Sequence, residues 1–134
     1  MKKYYSISEA EETIPLLKQK IVDLVKLSKG IDLLDSIDIQ YEDEYETLKQ
    51  DVAMNIKFHD YSLQFCKEIN KLLEMGVVLK DVEHGLVNFF SMHAGKEIFL
   101  CWKLGEENIH AWYALTESYE ARKPISELKS KKKA

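Results

Sequence analysis

The chain has 134 residues, 46% hydrophobic and 31% charged, with five glycines, two prolines and a net charge of −4. That length suits one domain with a real core. It carries no apolar run near the ~18 residues of a membrane helix, and its lysine-bearing start has no apolar leader segment.

Charge is unevenly placed. Residues 1–120 carry 13 basic against 22 acidic side chains, net −9, and residues 121–134 carry six against one, net +5. The body disfavours polyanions, and only the terminal KSKKKA attracts one, in a salt-dependent way. Cys66 and Cys101 form no CxxC pair and no disulfide framework, so a reducing, cytoplasmic setting is expected.

In chain order, residues 6–29 read as a helix, with Ile7, Ala10, Ile14, Leu17, Ile21, Leu24 and Val25 at helical spacing. Ser6 and Glu9 form a capping box. Pro15 lies too deep to be a first-turn proline and predicts a kink or a restart, and Gly30 is placed to end the helix. Residues 31–46 read as an acidic, solvated connection without the glycine-centred spacing of a calcium loop. A second helix runs from about Tyr41 to Met75, closed by Gly76. Tyr45, Leu48, Val52, Ile56, His59, Leu63, Cys66 and Leu73 trace one stripe on it. Met54, Phe58, Tyr61, Phe65, Ile69 and Leu72 trace a second. Two stripes on one helix predict one partner within the chain and another outside it, hence a dimer or larger bundle. Cys66 and His59 are expected in the core.

Beyond Gly76 the period becomes two. Residues 77–81 read as a strand, and 85–92 and 97–104 as a hairpin turning at Ala94-Gly95. That turn pairs Asn88 with Cys101 and Leu86 with Lys103. It puts Val87, Phe89, Ser91, Ile98, Leu100 and Trp102 on one face. Residues 106–123 are expected to be helical or tightly turned, ending at Pro124.

At this point four blocks carry a resemblance: YYSISEAEETIP at 4–15, LLEMGVVLKDVEHGLVNF at 72–89, GKEIFLCWKLGE at 95–106, and Trp112 through EARKPI at 120–125. In order and spacing they resemble a prokaryotic family of small proteins, domain of unknown function family 2203, over nearly the whole chain. The resemblance implies one domain, a helical hairpin followed by a small β element, in a cytoplasmic prokaryotic protein. It implies no activity. By motif, the family's recurring positions fall on Pro15, Lys80, Asp81, Gly85, Leu86, Val87, Gly95, Cys101, Trp102, Gly105, Glu106, Trp112, Arg122 and Pro124. The chain departs at Asn88, where the family usually has Asp, and at Phe90, where it has Pro. It departs again at Tyr113, where His is common, and at Ala121, where Gly is usual. With the acid and the histidine replaced, the resemblance implies no acid–base pair here.

The chemistry-bearing residues are few. A nucleophilic cysteine needs a cation, a helix N-terminus or a histidine base beside it. Sequence spacing gives Cys101 none, so a buried structural cysteine is expected. The four histidines lack zinc-type pairing. Asp81, Glu83 and His84 in DVEH form the one candidate acid–base or metal turn. Arg122 is the single arginine among eighteen lysines, which suggests a use for its planar fork. Its target is either Asp81 or Glu106 within the fold or an anion outside it. Trp102 and Trp112 read as core or interface anchors, or as walls for a planar ligand.

These readings give an α+β protein: a long antiparallel helical hairpin, a small antiparallel β-hairpin element and a short C-terminal helix. The domain is expected over 1–125, with a basic tail at 126–134. The leading expectation is a non-enzymatic binding or adaptor protein, self-associating as a homo-oligomer (a dimer) through its long helix. Asp81, His84, Lys103, Glu106, Trp112 and Arg122 would contact a protein or small anionic partner, with no cofactor, no metal and no membrane. The alternatives are a small enzyme or sensor binding an anionic small molecule at Asp81, Glu106 and Arg122, or an RNA- or ribosome-associated factor using the lysine tail.

Overall fold

In the computed structural model, which describes residues 3–37 and 40–128, Ser6 caps the first helix. Its hydroxyl accepts from the Glu9 amide at 3.1 Å, and the Glu9 carboxylate accepts from the Ser6 amide at 3.2 Å. Helix α1 then runs Ile7–Ser36 without a break. Neither Pro15 nor Gly30 interrupts it, which corrects the expected restart at Pro15 and the expected end at Gly30. Pro15 faces solvent while its neighbours Ile14 and Leu17 are buried, so packing on the sheet outweighs the one missing backbone bond. At Gly30 a side chain would meet nothing within 4 Å, and the apolar pattern continues through Ile31 and Leu34. Six further residues of the supposed acidic connection are thereby helical. Asp38 and Ile39 in its remainder lie outside the described residues.

Helix α2, Glu44–Glu74, starts at Asp43, whose carboxylate accepts from the Tyr45 amide at 3.0 Å. It packs back along α1 and against the first strand. Leu72 is buried, and Met54, Phe58, Phe65 and Ile69 are half-buried. The other stripe faces water: Tyr45, Leu48, Val52, Ile56, Leu63 and Leu73 are each between 52% and 70% exposed. Cys66 and His59 lie on this stripe and are exposed too, contrary to expectation. The reason is geometric: α1 covers one side of α2, and no further element among the described residues covers the other.

Five strands follow as an antiparallel meander in chain order: β1 Val77–Asp81, β2 Leu86–His93, β3 Lys96–Lys103, β4 Ala111–Ala114 and β5 Lys123–Pro124. Ala94 and Gly95 turn β2 into β3 with φ of 52° and 77°, the left-handed pair that a type I′ turn requires. The pairings Asn88–Cys101 and Leu86–Lys103 are as expected. Residues 106–123 are not a helix. AWYA forms β4 on the free edge of β3, with a 3-10 turn at Tyr119–Ala121 before β5. Its alternation sends Trp112 to the inner face and Tyr113 to the outer one, a period of two that fits a pleated edge. Residues Ser126 to Leu128 are helical, and Leu128, which the sequence assigned to the tail, is buried.

The core lies between α1 and the inner sheet face. Ala10, Ile14, Leu17, Ile21 and Leu24 pack with Val77, Val87, Phe89, Leu100, Trp102 and Trp112. The buried positions of α1 end at Leu24, and α2 contributes only Leu72. The far halves of both helices therefore project beyond the sheet as a two-helix arm.

Candidate functional site

The tight turn between β1 and β2 gathers Asp81, Glu83 and His84, whose ligand-type atoms all lie within 4.8 Å of one another. His84 Nδ1 is 2.8 Å from Asp81 Oδ2, and the His84 amide donates to Asp81 Oδ1 at 3.4 Å. The His84 hydrogen bond holds the Asp81 carboxyl below its ordinary range. The three side chains are positioned to hold a cation but stand mostly in water, where such groups are common without one.

Lys103 and Glu106 meet at the end of β3. The Glu106 carboxylate accepts from the Lys103 amide at 2.8 Å, and its backbone carbonyl accepts from the Trp102 indole at 2.8 Å. Glu106 thus anchors the turn after β3. Asp81 and Lys103 both flank Leu86 in the sheet register, about 10 Å apart across two strand spacings.

Arg122 sits at the opposite edge. Asp81 is on β1 and Arg122 just precedes β5, four strand spacings or roughly 19 Å apart. Its guanidinium stacks 4.3 Å from the centre of the Tyr119 ring and donates to the Tyr119 carbonyl at 3.3 Å. Neither Asp81 nor Glu106 pairs with it, so the expected internal salt bridge is replaced by a cation–π contact and one backbone bond.

Trp112 belongs to yet another surface. Its ring lies on the inner face, largely buried, with Lys123 Nζ 4.7 Å above it and the His93 ring 6.0 Å away. It borders a concavity of about 580 Å³ with Lys96, Glu117 and Lys123. Its indole N–H is buried without a partner among the described residues. Glu117 pairs with Lys123 at 3.0 Å, which holds its carboxyl below the ordinary range. The six candidate residues are therefore split between two turns, a sheet edge and an inner-face hollow.

On the outer sheet face, where the hairpin register puts Asn88, Phe90, Phe99 and Cys101, the sequence reading missed Tyr113 and Tyr119. Phe90, Phe99, Tyr113 and Tyr119 form a row with ring centres 5.1, 5.4 and 6.1 Å apart. Beneath it Asn88 donates to the Tyr113 hydroxyl at 2.6 Å. These are the two positions where the resemblance implied an acid and a histidine. Cys101 is buried beside them. Desolvation pushes its thiol up to about 12, only partly opposed by Arg122, with Glu106 adding to the rise. A thiol so held is protonated at neutral pH and is no nucleophile. Period-two alternation in AWYA was the available signal for this face.

No helix among the described residues is long and apolar enough to cross a membrane. No curated protein and no solved structure matches the chain. Residues 3–125 match the model of the family described as uncharacterized conserved protein DUF2203, and the chain belongs to that family.

Proposed function

We propose that this protein is a non-enzymatic binding or adaptor module that self-associates through the outer face of α2. One observation carries the reading: Tyr45, Leu48, Val52, Ile56, Leu63 and Leu73 form an exposed, mostly apolar stripe along the helix, with His59, Cys66 and Asn70 among them. From Tyr45 to Leu73 that stripe is about 42 Å long at 1.5 Å per residue. Soluble monomers rarely leave so extended an apolar surface uncovered. The arm adds a second reason. Its two helices cover only one side of each other, and isolated helix pairs gain little stability without further packing.

The enzymatic alternative has weaker support. Asp81 lies at the opposite sheet edge from Arg122, and the Cys101 thiol, on which both Arg122 and Glu106 act, is held protonated. An RNA-associated role would rest on the lysine tail, most of which lies outside the described residues, while the body carries the opposing charge. A cytoplasmic location is part of the same proposal, supported by two cysteines that are not bonded to each other.

The test is sedimentation velocity over a range of concentrations, comparing wild type with Ile56→Asp. Concentration-dependent dimerisation in wild type, lost in a variant with unchanged circular dichroism, is expected. A wild-type monomer at every concentration contradicts the reading.

A further inference from the structure

Resting on that self-association, the geometry points to an antiparallel pairing of α2 with α2 of a second copy, with His59 of both copies at the two-fold axis. The exposed stripe runs from Tyr45 to Leu73, and His59 is its midpoint. An antiparallel overlay centred there covers every apolar residue of both stripes. It sets Tyr45 of one copy against Leu73 of the other, and Val52 against Cys66. A parallel overlay in register also covers the stripe, so charge must decide between them.

The charges are unevenly spread along α2. Its start carries Glu42, Asp43, Glu44, Glu46 and Asp51 against Lys49 alone. The half beyond Ile56 alternates Lys57, Asp60, Lys67, Glu68, Lys71 and Glu74, which balance. Parallel pairing would press two acidic tips together, whereas antiparallel pairing lays each tip beside the partner's charge-balanced end, where Lys67 and Lys71 alternate with Glu68 and Glu74 and Lys71 pairs with Glu68 at 3.1 Å. Helix dipoles favour the same arrangement, since each negative C-terminal end meets a positive N-terminal one. A seam about 42 Å long and about 10 Å wide covers on the order of 400 Å² of each partner, about half of a standard interface, so flanking α1 residues must add to it. Ile37, also exposed at the arm tip, lines a hollow with Asp51, Asn55 and His59 beside that seam. The two arms together then make a four-helix bundle, with the two sheets at opposite ends.

Thiol trapping reads the orientation directly. Cys66 is native, exposed and on the stripe, while Cys101 is buried. A disulfide needs Cα atoms about 4.4–6.8 Å apart. In the antiparallel seam V52C, retaining Cys66, should crosslink two chains under mild oxidation, through position 52 of one and Cys66 of the other. H59C in a C66S background should crosslink at the axis. Wild type, and V52C with C66S, should not, because like positions then lie about 21 Å apart. Within one chain positions 52 and 66 are equally far apart, so the V52C product cannot be internal. Thiols are alkylated before denaturation to exclude Cys101. Crosslinking of wild type, and of V52C with C66S, would show a parallel seam and overturn the proposal. If no variant crosslinks and sedimentation shows only monomer, self-association itself fails. A dimer by sedimentation that crosslinks in none of them would place the interface elsewhere and overturn the proposal too.

Discussion

Asn88 donates its side-chain N–H to the Tyr113 hydroxyl at 2.6 Å, joining β2 to β4 across the intervening β3, with both residues almost wholly buried. The other amide atom, Oδ1, is buried with no partner among the described residues. Tyr113→Phe therefore strips the amide of its described side-chain partner, at an expected cost of about 1–3 kcal/mol. Replacing both, Asn88→Leu with Tyr113→Phe, removes the stranded polar group as well and should recover much of that loss. Urea midpoints check this. A double variant as unstable as the sum of the singles would contradict it.

Gly76 should tolerate no side chain. Its φ is +84°, and a Cβ there would sit 2.5 Å from the Lys3 carbonyl oxygen. Gly76→Ala combines backbone strain with a clash against main chain, and a loss of about 2 kcal/mol or more is expected. Gly95 has a similar φ of +77° but open space around it, so Gly95→Ala should cost about 1 kcal/mol. Thermal melts of the two variants rank them, and equal losses would contradict the close approach at Gly76.

The two thiols should separate cleanly. Cys101 is buried and its thiol is pushed up to about 12, while Cys66 is exposed. In dilute native protein at about pH 8, an aromatic disulfide reagent should titrate one thiol per chain, and two after denaturation. Cys66 should react more slowly as concentration rises and the α2 seam closes. Rapid native reaction at Cys101 would contradict the burial.

Acid should weaken the fold through identifiable carboxylates. Asp81 is held below its ordinary value chiefly by His84, and Glu117 chiefly by Lys123. A carboxyl with a depressed folded-state value adds stability that is in place above its unfolded value. That stability is lost as pH falls through the folded value, which for both groups lies below the ordinary carboxylate value. Asp81→Asn and Glu117→Gln should each flatten the fall in urea midpoint over that range. Variants that keep the full wild-type slope would contradict the assignment.

Local signals in the sequence carried far where one segment contained the whole reason. The Ser6–Glu9 box, the Ala94-Gly95 turn and the β2–β3 register each depend on a few adjacent residues, and all appear as expected. Gly30 and Pro15 were misleading because packing of α1 on the sheet and continued helical periodicity override single-residue propensity. The turn-rich 106–123 segment hid β4, since a four-residue strand gives too short a pattern to separate from a helix. The two stripes on α2 were legible, but which one faced α1 was not, so His59 and Cys66 were assigned to the wrong side. The Tyr119 stacking of Arg122 depends on where the 3-10 turn leaves both residues, which spacing alone does not determine.

Native mass spectrometry of the purified protein reads oligomeric state and retained mass at once. A dimer at twice the 15.7 kDa chain mass, with nothing added, is the result expected of a module that self-associates through α2. A monomer that carries a small molecule or a metal ion would contradict that reading and move attention to the Trp112 hollow or the Asp81–His84 turn.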